Sequence, residues 1–393
     1  MIALPQPLSY AAYLECARCK KEYSLGELQN FATCCHQPLL VKYDYYMPGF
    51  FKEDLIFREK NMWRYFEMLP VFERKNIVSL GEGMTPLLPL DNLAARHGFA
   101  DLVMKDESLN PTGSFKARGI SMAVSKAKEL GVERCIIPTA GNAGGALAAY
   151  CAKAGIACTV VMPTHTPDVF KQECTLYGAE LILVNGLISD CARKVEELKK
   201  SRSYFDVSTL KEPYRLEGKK TMGYEIAEQL NWQLPDIILY PTGGGTGLIG
   251  IWKAFQEMLR MGWIKASLPR MIAVQSVNCA PIATALKDPL HWKDHFTAQP
   301  SLANGLAVPY PFGMDMMLDV LRESNGTLIT VSEEEIVACV KEIAATEGIL
   351  AAPEGAAVWK ALLQMRNRGM IEPADKILLL NTGSGYKYLE NLV

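Results

Sequence analysis

Along the chain, short apolar runs alternate with longer stretches in which apolar residues return every three or four positions. The runs predict strands at Leu102–Lys105, Cys135–Pro138, Ala157–Met162, Glu180–Val184, Ile237–Tyr240, Met271–Gln275 and Ile377–Leu380. The longer period predicts a helix after Lys116, with Ile120, Met122, Ala123, Val124, Ala127 and Leu130 mostly on one side. Further helices are predicted over Ala143–Ala154, Thr166–Tyr177, Leu187–Lys200, Glu217–Leu230, from Thr246 onward, over Ser332–Thr346 and over Glu354–Met365. Strand and helix in alternation imply an α/β fold with two open parallel-sheet domains. A ligand between them, near the strand carboxyl ends, is the expectation for such sheets. Residues 46–75 break the pattern: they are rich in aromatics and charge and read as a helical linker packed on a domain or a partner chain.

Composition narrows the function classes. The chain has 393 residues, 49% of them hydrophobic, enough for two or three cored domains. A net charge of −2 carries no basic footprint for nucleic acid. No apolar run approaches the length of a membrane span. The start, Met1-Ile2-Ala3-Leu4-Pro5, lacks the basic region of a signal peptide, and eleven cysteines are too sparse for a disulfide framework. A cytoplasmic enzyme with mostly free thiols is expected. Cys16-x-x-Cys19 has the spacing of a zinc-ribbon knuckle, whereas Cys34 and Cys35 are adjacent and followed by His36. A structural zinc on Cys16, Cys19, Cys34 and Cys35, a fourth ligand from His36, and a metal-free ribbon of thiols all stay open.

Four loops hold the candidate chemistry. Asn110-Pro111-Thr112-Gly113 is a turn, Ser114 is a candidate cap, and Lys116 then falls in a first helical turn. The positive end of a helix favours a neutral amine, which can form a Schiff base with a carbonyl cofactor. Thr139-Ala140-Gly141-Asn142-Ala143 joins a strand to a helix and offers backbone N–H groups to an anion and an amide to an oxygen. Pro241-Thr242-Gly243-Gly244-Gly245-Thr246-Gly247 can wrap a phosphate. It lacks the lysine of a nucleotide P-loop, and the next strand ends in Gln275 rather than an acidic ribose ligand, which counts against a dinucleotide. Asn381-Thr382-Gly383 presents a hydroxyl after the last strand. An amine, an amide, a phosphate cradle and a hydroxyl are what pyridoxal phosphate requires.

From Cys16 onward the chain resembles the threonine synthases, within the tryptophan synthase β-like (fold type II) family of pyridoxal-phosphate enzymes. The resemblance rests on the Cys-rich ribbon before Tyr43-Asp44, on Lys105-Asp106-Glu107-x-x-x-Pro111-Thr112-Gly113-Ser114-Phe115-Lys116, on Gly141-Asn142, and on Arg215-Leu216-Glu217-Gly218-x-x-Thr221. It implies that Lys116 carries the cofactor and acts as the base, Phe115 packs near the ring, and Asn142 meets the ring oxygen. Gly243, Gly244, Gly245, Thr246 and Gly247 would hold the phosphate, with Thr382 facing the ring nitrogen. Ser114, Thr139, Ala140, Gly141, Asn142 and Arg215 would line the substrate, an amino acid bearing a phosphate in that family. Arg215 could equally serve a structural ion pair. The implied organisation is a zinc-ribbon-like segment over 1–45, a larger cofactor-binding domain from 46–112 and 206–393, and a smaller mobile domain over 113–205, assembled as a homodimer. The sequence departs from the group at Ala117 for aspartate, at Ala140 and Ala143 for hydroxyls toward a substrate phosphate, and at Thr209-Leu210 for Asn-Ser. These departures keep open a β-eliminating or β-replacing enzyme, like a threonine or serine dehydratase or a cysteate synthase.

Overall fold

The computed structural model describes residues 9–47 and 49–392; the pentapeptide read for a signal, and residues 1–8 of the ribbon-like segment, lie outside them. In chain order the strands are β1 (Ala11–Cys16), β2 (Glu22–Tyr23), β3 (Leu39–Tyr43), β4 (Leu87–Pro89), β5 (Asp101–Asp106), β6 (Arg134–Pro138), β7 (Ala157–Pro163), β8 (Glu180–Val184), β9 (Phe205–Asp206), β10 (Ile237–Pro241), β11 (Arg270–Ser276), β12 (Thr327–Val331) and β13 (Lys376–Asn381). They form an antiparallel sheet β2-β1-β3, a parallel sheet β8-β7-β6-β9, and a sheet β12-β11-β10-β13-β5-β4 in which only β4 runs antiparallel. The two parallel sheets predicted by the strand–helix alternation are present.

The chain folds as two compact units. One comprises the chain through Met84, Lys116–Tyr224 and Gln256–Trp263 and holds the ribbon sheet and the four-stranded sheet. Its parallel sheet has a core of Ile136, Val161, Cys191 and Val195, with Ile182, Val184, Ile188, Leu198 and Tyr204 packed around it. The other comprises Thr85–Phe115, Glu225–Phe255 and the chain from Ile264, and holds the six-stranded sheet. There β10 is buried throughout and β13 in all but its first residue, with the helix Pro353–Asn367 packed on both. Continuous apolar runs of this kind are what a sheet covered on both faces demands. Residues 49–84 and 206–224 fall in the unit that holds the four-stranded sheet.

Residues 46–75 are not a regular helix. They fold as short 3-10 turns, Lys52–Phe57, Met62–Met68 and Arg74–Asn76. Their middle turn is wholly buried, and Tyr65 within it leaves helical geometry. The helix predicted from Glu217 starts at Tyr214, because the Glu212 carboxylate accepts the N–H groups of Tyr214 (2.7 Å) and Arg215 (3.0 Å) and closes the first turn. The sequence pattern also passed over the helix Asp91–His97 and strand β12. All eleven cysteines are free, and no helix among the described residues is long and apolar enough to cross a membrane.

Candidate functional site

In the first unit Lys116 opens the helix Lys116–Glu129 at its first position, as the pattern predicts. Asn142 opens the helix Asn142–Ala154, with Thr139, Ala140 and Gly141 in the turn from β6. The Asn142 Oδ1 is buried and has no hydrogen-bond partner among the described residues. Both helices are held by Glu82. Glu82 is fully buried and accepts from the Tyr150 hydroxyl (2.6 Å), the Trp63 indole (2.9 Å) and Ser121. Ser121 belongs to the Lys116 helix and Tyr150 to the Asn142 helix. Gly144 and Gly145 answer to packing rather than to a ligand: a Cβ at Gly144 would stand 2.7 Å from the Met162 methyl, and one at Gly145 would overlap Glu173.

The helix Tyr214–Gln229 supplies the charge of this unit. Arg215 is 1% exposed; its Nη1 donates to the Val207 carbonyl (2.7 Å) and to Thr209 Oγ1 (3.3 Å). Its Nε and Nη2 are buried with no hydrogen-bond partner among the described residues. Lys219, four residues on and so on the same helix face, is fully buried. Burial above all, then the like charges of Lys116 and Arg215, hold its amine well below the usual lysine range, opposed only in part by Glu212. Burial pushes the Glu212 carboxyl up to about 7 against the pull of Arg215, of the two N–H groups it caps and of Lys219. Sequence reading missed Glu212 and Lys219; its one available signal was a Glu-x-x-Arg-x-x-x-Lys spacing whose burial no pattern displays. Thr221, quoted for the resemblance, accepts from the buried Arg118 at 3.0 Å and so ties this helix to the Lys116 helix. A cavity of about 660 Å³ lined by Leu130, Gly131, Arg134, Arg202 and Phe205 lies at the far end of the Lys116 helix and holds none of the candidate residues.

In the second unit the loop before Lys116 is stapled to the last strand's loop. The Phe115 N–H donates to the Thr382 carbonyl (3.1 Å), the Ser384 N–H to the Gly113 carbonyl (3.0 Å), and Ser114 bridges Gly383. Ser114 stands two residues ahead of the helix and is paired as in a sheet. Thr112 sits at φ 61°, a conformation rare for a β-branched residue, and its carbonyl accepts from Lys387 Nζ at 2.7 Å. The Phe115 ring meets Tyr240 edge-on, centroids 6.3 Å apart. Gly243, Gly244 and Gly245 follow β10, and Thr246 starts the helix Thr246–Arg260. Gly245 has φ 79°, where L side chains are strained, and a Cβ at Gly247 would strike the Tyr240 hydroxyl. The loop is thus glycine-rich for its own fold as well as open to an anion at a helix start.

The ribbon gathers its thiols. Sγ atoms of Cys16, Cys19, Cys34 and Cys35 all lie within 4.8 Å of one another, Cys19 and Cys34 at 3.3 Å. The adjacent pair Cys34-Cys35 converges with the Cys16-x-x-Cys19 pair. His36 is not one of the group; its ring packs on Phe31, centroids 5.5 Å apart.

Residues 78–383 match the family model described as pyridoxal-phosphate dependent enzyme. The threonine synthase of Methanocaldococcus jannaschii is 36% identical over 380 residues, 95% of this chain and 92% of the relative. That of Methanosarcina acetivorans is 34% identical over 372 residues, 94% and 91% of the two chains. Among solved structures, a pyridoxal 5'-phosphate-dependent aspartate racemase superposes with a TM-score of 0.67 at 22% identity, over 78% of this chain and 92% of its own; this likeness is one of fold. Maize serine racemase does so with a TM-score of 0.65, also at 22% identity and over the same shares.

Proposed function

The chain belongs to the pyridoxal-phosphate dependent enzyme family, and from that premise we propose that it converts O-phospho-L-homoserine and water to L-threonine and phosphate. It is a lyase of the threonine synthase kind. The observation that carries the phosphorylated substrate is Arg215: a buried guanidinium with two unmet nitrogens is a receptor for an anion, and a neutral side chain would leave it unsatisfied.

The residues fit the cofactor. The Asn142 amide, whose buried Oδ1 has no partner among the described residues, suits a polar ring substituent, and the glycine turn ahead of Thr246 suits a phosphate. When bound, pyridoxal phosphate supplies an aldehyde for an amino group and a ring that stabilises negative charge at Cα. Lys116 Nζ is the proposed attachment point and, once released, moves the Cα proton from a fixed place at its helix start. Gly243, Gly244, Gly245, Thr246 and Gly247 bind the cofactor phosphate, Thr382 the ring nitrogen, and Phe115 packs on the ring. Ser114, Thr139, Ala140 and Gly141 border the substrate carboxylate, and Arg215 binds its distal anion. Over the whole reaction the Cα proton and one Cβ proton are removed, phosphate leaves Cγ, Cγ and Cα each take up a proton, and water supplies the hydroxyl at Cβ and the proton that leaves with phosphate. The smaller unit of motion is proposed as 113–205 and the cofactor-binding part as 46–112 with 206–393. The protein is further proposed to be a cytoplasmic homodimer, a reading supported by Tyr46, Phe51, Ile56 and Phe57, all exposed.

Ala140 and Ala143 favour a second reading, elimination or replacement at Cβ, because they offer no hydroxyl to a phosphate. Offering homoserine phosphate, threonine, serine and phosphoserine separately decides between them. Threonine and phosphate in equal amounts from the first supports the synthase; ammonia or a new β-substituted product from the others, with none from the first, overturns it.

A structural zinc on Cys16, Cys19, Cys34 and Cys35 is also proposed. A tetrahedral four-thiolate site places its sulfurs about 3.8 Å apart, close to the spacing of these thiols. Purified protein should hold one zinc per chain and lose it in Cys16→Ser; equal zinc in both would count against these ligands.

A further inference from the structure

The ribbon reaches the helix that carries Arg215 at two places. On β3 the Tyr43 hydroxyl donates to Glu217 at 2.7 Å, two residues beyond Arg215. Ahead of the helix, Asn30 lies in the ribbon loop between β2 and β3. Its Nδ2 donates at 3.0 Å to the Asp206 carbonyl and at 3.0 Å to the Lys211 carbonyl. Those carbonyls bracket the loop that leads from β9 to the helix. A primary amide nitrogen carries two hydrogens and can answer both carbonyls at once.

The bridged loop is what anchors Arg215. The Arg215 Nη1 donates to the Val207 carbonyl at 2.7 Å and to Thr209 Oγ1 at 3.3 Å, both between the bridged ends. The loop itself is held piecemeal: the Val207 N–H donates to the Ile136 carbonyl (2.9 Å) and the Lys211 N–H to the Ser208 carbonyl (3.1 Å). Leu210 within it sits at φ 59°, a left-handed conformation that is costly for a bulky residue. Such a conformation persists only where the surroundings over-determine it, and Asn30 supplies two of the constraints. Glu212, directly after the second bridged carbonyl, caps the N–H groups of Tyr214 and Arg215. One ribbon amide therefore braces both the acceptors of Nη1 and the start of the Arg215 helix. The guanidinium is a rigid plane, so where Nη1 is anchored decides where the buried Nε and Nη2 point. Those two nitrogens have no hydrogen-bond partner among the described residues.

We propose that Asn30 is a positioning residue for Arg215: its amide spans the 206–211 loop and so aims the two unmet guanidinium nitrogens at the distal phosphate of the substrate. The proposal rests on the reading that Arg215 binds that phosphate. The ribbon then serves recognition as well as the fold, and a change in its loop is read as a change in KM toward a phosphorylated substrate. Asn30→Asp keeps the shape of the side chain but turns an oxygen toward both carbonyls, so the bridge opens.

The test uses cofactor-loaded protein, so that the cofactor's own phosphate cradle is filled, and inorganic phosphate as the probe. Wild type should bind phosphate, seen by calorimetry, and Asn30→Asp should bind it about fivefold more weakly, the size of one lost hydrogen bond, while binding L-threonine unchanged. With homoserine phosphate, KM should rise by a similar factor with a smaller change in kcat, and Asn30→Gln, which keeps the amide, should recover part of the loss. In an Arg215→Gln background the Asn30 substitution should raise KM no further, since the group it aims is gone. Asn30→Ala is read in the same way should Asn30→Asp fail to fold. Unchanged phosphate affinity and KM in the Asn30 variants, equal loss of phosphate and threonine affinity, or losses that multiply with those of Arg215→Gln would overturn the assignment; weaker phosphate binding in Arg215→Gln would leave the reading of Arg215 standing. Absent phosphate binding in wild type, or phosphate affinity indifferent to Arg215→Gln, would sink that reading and the Asn30 assignment with it. Phosphate affinity that depends on Arg215 and Asn30 in a protein making no threonine would keep the assignment and sink only the reaction.

Discussion

Lys219 and Lys220 are consecutive, both fully buried, and sit in opposite surroundings. Lys220 lies 2.7 Å from Glu217 and 2.9 Å from Glu257, with its ammonium 3.7 Å from the centre of the Tyr43 ring. Tyr43 and Tyr224 donate to those same carboxylates at 2.7 and 2.8 Å. Here two anions, one cation and two hydroxyls form a closed network that ties the ribbon's β3 to the helix. Lys219, a hundred degrees round the helix, meets Lys116 and Arg215 instead. One lysine is held by two carboxylates; the other has two cations among its nearest charges. The same residue type at the same depth meets chiefly opposite charge on one face and chiefly like charge on the other.

That contrast can be broken from either side. Lys220→Met leaves two carboxylates buried together, so it should lower unfolding stability by about 3–5 kcal/mol; a loss below 1 kcal/mol in urea unfolding would deny the network its structural role. Glu212 gives a pH signature of comparable size. Its folded carboxyl lies at about 7 against an ordinary 4.5, so the neutral form is favoured in the folded state. Its contribution is complete below about pH 4.5 and is lost as pH rises through 7, on the order of 3 kcal/mol. Glu212→Gln keeps an acceptor for the capping N–H groups and should flatten that part of the wild-type decline between pH 5 and 7.5; parallel profiles would refute the shift. Lys219→Met should change stability least, by under about 1 kcal/mol, since it removes a charge from among like charges. A loss as large as that of Lys220→Met would erase the distinction between the two lysines.

The sequence disclosed what depends on local periodicity. Strand Glu180–Val184 was read to the residue, and the helix start at Lys116 followed from turn signals and an apolar stripe. Residues 46–75 misled because aromatic and charged spacing resembles a helix, while burial of Trp63, Tyr65 and Phe66 holds the chain in short 3-10 turns. Residue Glu212 was invisible because a side-chain cap can precede the helical pattern it creates. Lys219 was invisible for a different reason: its surroundings include Lys116, about a hundred residues earlier, through a crossing that only Gly119 and Gly218 allow. The ribbon was half legible, since Cys16-x-x-Cys19 announces itself but the convergence of Cys34 and Cys35 needs the fold.

The central claim is that Lys116, rather than Lys219 on the crossing helix, carries the cofactor. Borohydride reduction of the cofactor-loaded protein followed by peptide mapping tests it directly. The account predicts one pyridoxyl group, on Lys116 Nζ. A pyridoxyl group on Lys219, or on no lysine, would contradict it.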